Sequence, residues 1–408
     1  MADENIIAQV KKILTQKYCI SADETVETVG LCDNLGEALV ATDFPEKDFY
    51  LRLLQHLRLF YNSEFMLFSD RIKKALSSYQ KLQTGILETQ TQYPDLYSQL
   101  QYDIDRLVLR VDARIQETRA RIAEAENDIV QADVLYVETI NRYNNELVVE
   151  QNKNDYDHYF NSLGIIFHIT GHLYRLRGKS SKNIDDLYLA LRNLKKAHFL
   201  GYSNIETLLD QTQREIMLFT LEKLEHQAEL IFTQGLAKSE VDQFDGAKAN
   251  YQKSAQLYHS LNKIQKKVEY ELQEQIQYSS YYEATAKAFM IQDNNEQAAL
   301  QFSYANQTLQ KVLEKLPSDA LKQTFEPQIK YFQAMQLFCR AVTEYDNMSP
   351  EAIDHFAEAR DKLLEAKKMA DENQNIPLSK GCTNALNKLD SYQEIAGLMF
   401  QETDDTES

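Results

Sequence analysis

The chain has 408 residues with 62 acidic against 44 basic side chains, a formal net charge of −18. That field excludes a general nucleic-acid binder, which needs a basic surface, and no run approaches the ~18 consecutive apolar residues of a membrane-spanning helix. Only 11 Gly and 6 Pro interrupt a sequence rich in Leu, Ala, Gln, Glu and Lys, and strand-like runs of β-branched residues are scarce, so the class is all-α.

The N-terminus, Met1-Ala-Asp-Glu-Asn, starts acidic and helical rather than as a charged-then-apolar leader, and Ala2 excludes N-myristoylation. Residues 3–19 predict an amphipathic helix with Ile6, Ile7, Val10, Ile13 and Leu14 on its apolar side. Residues 20–46, with Gly30, Gly36 and Pro45, predict short helices and turns. Two helices follow, over about 46–69 and 70–90, and Tyr93-Pro94-Asp95 marks a break because the residue before proline avoids the helical region. Residues 1–94 thus form an N-terminal helical region.

Residues 95–155 are a separate segment. From Asp95 to Asn152 there is neither Pro nor Gly, which predicts one helix on the order of 80 Å long. Its apolar positions fall in heptad order through Ile115, Thr118, Ile122, Ala125, Ile129, Ala132, Tyr136, Thr139 and Tyr143. Such a seam either packs on neighbouring helices of the same chain or joins two copies through Ile115, Ile122, Ile129 and Tyr136. The second outcome would make a structural, self-assembling protein, so monomer and homodimer both stay open.

Over 156–370 a small–large–small spacing recurs: Ala190–Leu194–Ala197, Ala247–Tyr251–Ser254, Ala298–Phe302–Ala305 and Ala352–Phe356–Ala359. These i, i+4, i+7 positions share one helical face; the small ones admit a neighbouring backbone and the large one fills the groove. A tetratricopeptide (TPR) unit places Gly or Ala twelve residues before the first small position. Gly235 and Ala286 meet that rule, Arg340 has Ala341 beside it, and Gly171 meets it if the turn 178–184 carries seven extra residues. The units repeat every 57, 51 and 54 residues, longer than the ~34 of a standard repeat. A capping helix follows in 371–400, with Leu386, Leu389, Ile395 and Leu398, and then an acidic tail, 401–408, expected to be disordered. The fold is therefore an irregular α-solenoid of TPR-like helical hairpins behind a long N-terminal helical, coiled-coil-like segment.

No residue set points to catalysis. His168 and His172 lie four apart on one predicted helix, a spacing that could hold zinc, but Ile-Thr-Gly between them lacks the glutamate of HExxH. Glu-x-x-His is absent, which disfavours a di-iron bundle. Gly178-Lys179-Ser180 resembles the end of a phosphate-binding loop, yet position 173 is Leu and no strand precedes it. Cys19, Cys32, Cys339 and Cys382 are scattered, as reduced thiols of a cytoplasmic protein would be. The expectation is a non-enzyme without metal or cofactor.

The charge reverses in 151–200, where eight Lys/Arg stand against four Asp. Arg175, Arg177, Lys179 and Lys182 cluster at a predicted turn, with Lys195 and Lys196 in the next helix. This patch suits an acidic peptide or helix, and it would also suit an anionic membrane surface. Tyr278, Tyr281 and Tyr282 are further candidate anchors for a partner, or plain helix packing. Arg106, Arg110 and Arg114 form a second basic i, i+4 stripe, which ordinary helix-surface pairing with Asp103, Glu117 and Glu124 explains about as well as a binding patch does.

Tyr159-Phe-Asn-Ser-Leu-Gly-Ile-Ile-Phe-His-Ile-Thr-Gly-His-Leu173, followed by Leu189-Ala-Leu-Arg-Asn-Leu-Lys-Lys-Ala-His-Phe-Leu-Gly-Tyr202 and Gln211-Thr-Gln213, is similar in order to the core of a Bro1 domain. That resemblance implies an adaptor that binds a helical peptide of the membrane-scission (ESCRT-III) machinery. The family's Trp-containing segment is missing, since this chain has no Trp, and none of its binding residues has a matching position here. Both lines of reasoning converge on a non-catalytic scaffold or adaptor holding a peptide or helix in its solenoid groove.

Overall fold

The structure, a computed structural model, describes residues 2–16, 21–202 and 205–404. Among these are sixteen α-helices and no strand: α1 Ala2–Thr15, α2 Ala22–Val40, α3 Lys47–Phe68, α4 Ile72–Gln92, α5 Pro94–Gln99, α6 Gln101–Ala125, α7 Ile129–Asn152, α8 Tyr156–Ser181, α9 Ile184–Phe199, α10 Glu206–Glu240, α11 Phe244–Gln265, α12 Val268–Ile291, α13 Asn295–Lys315, α14 Asp319–Asp346, α15 Glu351–Glu372 and α16 Ile376–Asp404. They form two compact units, Met1–Thr220 and Leu221–Ser408. Within each, successive helices pack as antiparallel, TPR-like hairpins. No helix among the described residues is long and apolar enough to cross a membrane.

All four small–large–small triplets are buried, and the large residue sits in the middle of each contact. A Cβ added to Gly171 would lie 2.6 Å from Leu194 Cγ, and one added to Gly235 would lie 2.7 Å from the Tyr251 ring. Glycine is needed at both positions because the facing large side chain occupies that space. In the second unit Ala286, Phe302, Phe332, Ala341 and Phe356 share one core.

Three expected boundaries move. Residues 20–46 do not break into short pieces: Ser21 caps α2, its Oγ accepting from the Glu24 N–H at 3.3 Å, and the helix runs on through Gly30 and Gly36. The 95–152 segment is not one helix. It is cut at Leu100, between α5 and α6, and again at 126–128, where Asn127 adopts φ 61° and Asp128 Oδ1 accepts from the Gln131 N–H at 3.1 Å to start α7. Asn tolerates the left-handed region without help from Gly, so the turn left no Gly or Pro signature. The same device closes α8: it runs to Ser181 and Lys182 takes φ 53°, leaving a two-residue turn instead of the long one expected at 178–184. Nine non-glycine residues carry positive φ among the described residues, which is how so many turns form with so little Gly.

At the C-terminus α16 continues to Asp404, into the segment expected to be disordered, while 405–408 lie outside the described residues. Ile395 is exposed, and Ala396 beside it takes the core position. Cys32, Cys339 and Cys382 are buried free thiols; Cys19 lies outside the described residues.

Candidate functional site

The α8–α9 hairpin of the first unit is closed by its small residues. Gly171 admits Leu194, and Gly178 admits Leu187 so closely that a Cβ there would lie 2.7 Å from Leu187 Cγ. Ala190, Leu194 and Ala197 fill the buried side of α9. Because those residues face inward, the opposite side of α9 turns its own stripe outward, and that stripe is not simply polar.

Leu163 and Phe167 of α8, with Tyr188, Leu191 and Phe199 of α9 and Leu200 beyond it, line an open groove of about 850 Å³. Phe199 is 88% exposed and Tyr188 55%, whereas Leu163, Phe167, Leu191 and Leu200 are half-buried in the floor. Gly164 lets Leu200 close one end, since a Cβ at 164 would sit 3.4 Å from Leu200 Cβ. Arg192, Lys195 and Lys196 complete the lining. The Lys196 ammonium lies 4.7 Å from the centre of the Phe167 ring, a cation–π contact. No carboxylate pairs with Arg192 or Lys195 among the described residues.

The predicted positive patch therefore divides. Arg175 makes a two-pronged bond to Glu215 (2.8 and 2.6 Å), and Lys179 lies 3.5 Å from the same carboxylate. Arg177 is held by Asp133 at 2.5 and 3.0 Å, and this carboxylate raises its pKa further. The Lys182 ammonium stands 5.9 Å from the Phe219 ring. Carboxylates far away in sequence thus fold back onto Arg175, Arg177 and Lys179, while Lys182 rests beside an aromatic ring. Lys195 and Lys196 remain, joined by Arg192.

Tyr278, Tyr281 and Tyr282, in the second unit, are half-buried rather than set out on a face. Tyr281 packs beside Tyr251 and Ala284, and the Tyr282 ring lies tilted against Tyr304 with centroids 5.6 Å apart. His168 and His172 are 4.7 Å apart edge to face, and His168 stacks on Tyr202 at 4.4 Å. Burial, then Arg121, pushes His172 down to about 3, and burial with His172 lowers His168.

The predicted dimer seam is used inside the chain. Ile115 and Tyr136 are buried and Ile122 and Ile129 half-buried, because α6 and α7 fold back on each other as a hairpin. A second copy could reach these side chains only by displacing that packing.

Beneath the groove lies a feature read wrongly from sequence. Arg106, Arg110 and Arg114 are fully buried, not a surface stripe. Arg114 Nε and Nη2 donate to both oxygens of Glu64 (2.8 and 2.7 Å), its Nη1 donates to Glu117 at 2.6 Å, and the Tyr79 hydroxyl donates to Glu64 at 2.6 Å. Arg110 Nε donates to Glu146 at 2.9 Å, and its Nη2 donates to Ser162 Oγ at 2.8 Å, which donates on to Glu150 at 3.0 Å. Arg106 reaches the Leu14 carbonyl at 3.0 Å and Asp155 at 3.4 Å. The Tyr143 ring lies under both Arg110 and Arg114. Of Asp103, Glu117 and Glu124, only Glu117 acts as the predicted close partner: Glu124 accepts from Tyr136, and Asp103 stays 4.0 Å from Arg106. This network ties α3, α4, α6, α7 and α8 together, and so fixes the α8 wall of the groove.

The network also sets a pH dependence. Burial would raise Glu117, but Arg114 and Arg121 hold it down to about 2. Burial and the charge of Glu146 push Glu150 up to about 7, against the pull of Arg110. Between its ordinary pKa of 4.5 and about 7 the folded state keeps a Glu150 proton that the unfolded state releases, so this group lowers stability as pH rises. The neutral histidines act oppositely: below 6.5 the unfolded state binds protons that His168 and His172 refuse, and stability falls on acidification. Glu150→Gln should therefore steepen the acid-side loss between pH 7 and 4.5 by up to about 1.4 kcal/mol per pH unit, read from urea midpoints across that range.

No protein-family model matches the chain, and no curated protein matches it. Among solved structures, the TPR2AB-domain:pHSP90 complex of yeast Sti1 is similar at 13% identity and a TM-score of 0.20, over 68% of this chain and 98% of that one. The helical-hairpin architecture rests on this chain's own packing. Nothing in these comparisons supports the Bro1 resemblance.

Proposed function

We propose that this chain is a non-catalytic scaffold that binds a protein partner in the α8–α9 groove. The observation that carries the reading is a recessed apolar floor with Phe199 and Tyr188 exposed above it and two cationic side chains, Arg192 and Lys195, that pair with no carboxylate among the described residues. Large aromatic side chains left in water beside unpaired Arg and Lys are the composition of a binding anchor rather than of idle surface. The three buried free thiols suit a reducing, cytoplasmic setting. The membrane-scission role implied by the Bro1 resemblance is not carried forward, since none of that family's binding residues has a counterpart here.

The test is affinity capture followed by mass spectrometry, comparing the natural chain with Phe199→Asp. Phe199 is almost fully exposed, so this change leaves the helix content by circular dichroism intact. Proteins captured by the natural chain and lost with Phe199→Asp support the groove; an unchanged capture profile removes it.

A further inference from the structure

Resting on that reading, we infer that the occupant of the α8–α9 groove is an acidic amphipathic helix of about three turns. Both walls of the groove are α-helices, whose backbone N–H and C=O groups are used within the helices themselves. An extended peptide laid there would find no backbone partners, whereas a helix arrives with its own backbone satisfied and needs only side-chain complementarity.

The dimensions agree. From Tyr188 to Phe199 the outer stripe of α9 covers eleven residue steps, about 16 Å at the helical rise. A ligand helix of three turns spans that length and presents apolar side chains at i, i+3 or i+4, and i+7 to the floor between Phe167 and Leu191. A third helix on this face would repeat the packing that every hairpin in the chain already uses.

Charge selects the sign of the ligand. Arg192 and Lys195 lie on the α9 side alone, so the carboxylates of the ligand run along one flank of its apolar stripe. The chain as a whole carries −18, so a diffuse acidic surface is repelled while a helix with carboxylates placed at this rim is held. The recessed floor favours an inserted helix over a lipid surface, which needs apolar side chains that protrude together.

The experiment is fluorescence anisotropy on the full chain with a labelled synthetic peptide of about 16 residues, Leu on one helical face and Glu along its flank. Controls are the same peptide with Lys for Glu, a scrambled order of equal composition, and vesicles of anionic phospholipid. The acidic helix is expected to bind at least about tenfold more tightly than either control peptide. Arg192→Glu with Lys195→Glu, both at exposed positions, should reverse the preference towards the Lys peptide, and the discrimination should shrink in high salt. Equal affinity for the acidic, basic and scrambled peptides overturns the inference, as does binding to the vesicles with none to the peptide. If the acidic helix fails while Phe199→Asp still loses captured proteins, the inference falls and the groove reading stands.

Discussion

Replacing Arg114 by methionine is expected to destabilise the first unit by on the order of 3–5 kcal/mol, the cost of leaving buried charge uncompensated. The guanidinium is 1% exposed and neutralises Glu64, which bonds no other cation among the described residues, and shares Glu117 with Arg121. Methionine fills much of the volume but leaves the Glu64 carboxylate in an apolar interior, with the Tyr79 hydroxyl as its one remaining side-chain donor among the described residues. Equilibrium urea unfolding followed by circular dichroism reads the loss. Changing both partners, Glu64→Met with Arg114→Met, should recover most of it, because removing the pair removes its desolvation cost as well. A single-variant loss below about 1 kcal/mol would place the pair among solvated surface bridges instead.

The second large effect belongs to the repeat itself. Phe356→Ala should cost about 3–5 kcal/mol in the second unit, since the ring is 0% exposed and rests against Phe338 at 6.2 Å and Tyr392 at 6.0 Å. Enlarging its small neighbour, Ala359→Leu, should cost about 1–3 kcal/mol by forcing α15 away from the helix it packs on. Leu364→Ala on the exposed side of α15 should stay within about 0.5 kcal/mol. Thermal and urea unfolding of the three variants give the ranking, and equal effects at Phe356 and Leu364 would contradict the assigned face.

The helical class and its repeated contact were legible because they depend on periodicity. Ala352–Phe356–Ala359 states its buried face within one helix, and Gly171 and Gly235 announce close approach because no other residue fits there. Boundaries were less visible where a polar residue did the work of glycine: Asn127 ends α6 and Lys182 ends α8, neither carrying a breaker signature. The charge pattern was the least legible. Arg175 and Arg177 looked available until Glu215 and Asp133 folded onto them. Arg106, Arg110 and Arg114 looked solvated because their partners Glu64, Glu146 and Asp155 lie dozens of positions away. A matching signal did exist, since Tyr143, Glu146 and Glu150 form a complementary stripe on α7. Phe199 and Tyr188 carry no signal of their own in the sequence, because exposure is a property of the packed hairpin and not of the residue.

Hydrogen exchange with mass spectrometry, comparing the chain alone with the complex it forms with a co-purified protein, tests the groove most directly. Protection concentrated in residues 160–167 and 188–200, with the α7 and α15 surfaces unchanged, is the predicted result. Protection elsewhere with these two segments exchanging as in the free chain would contradict it.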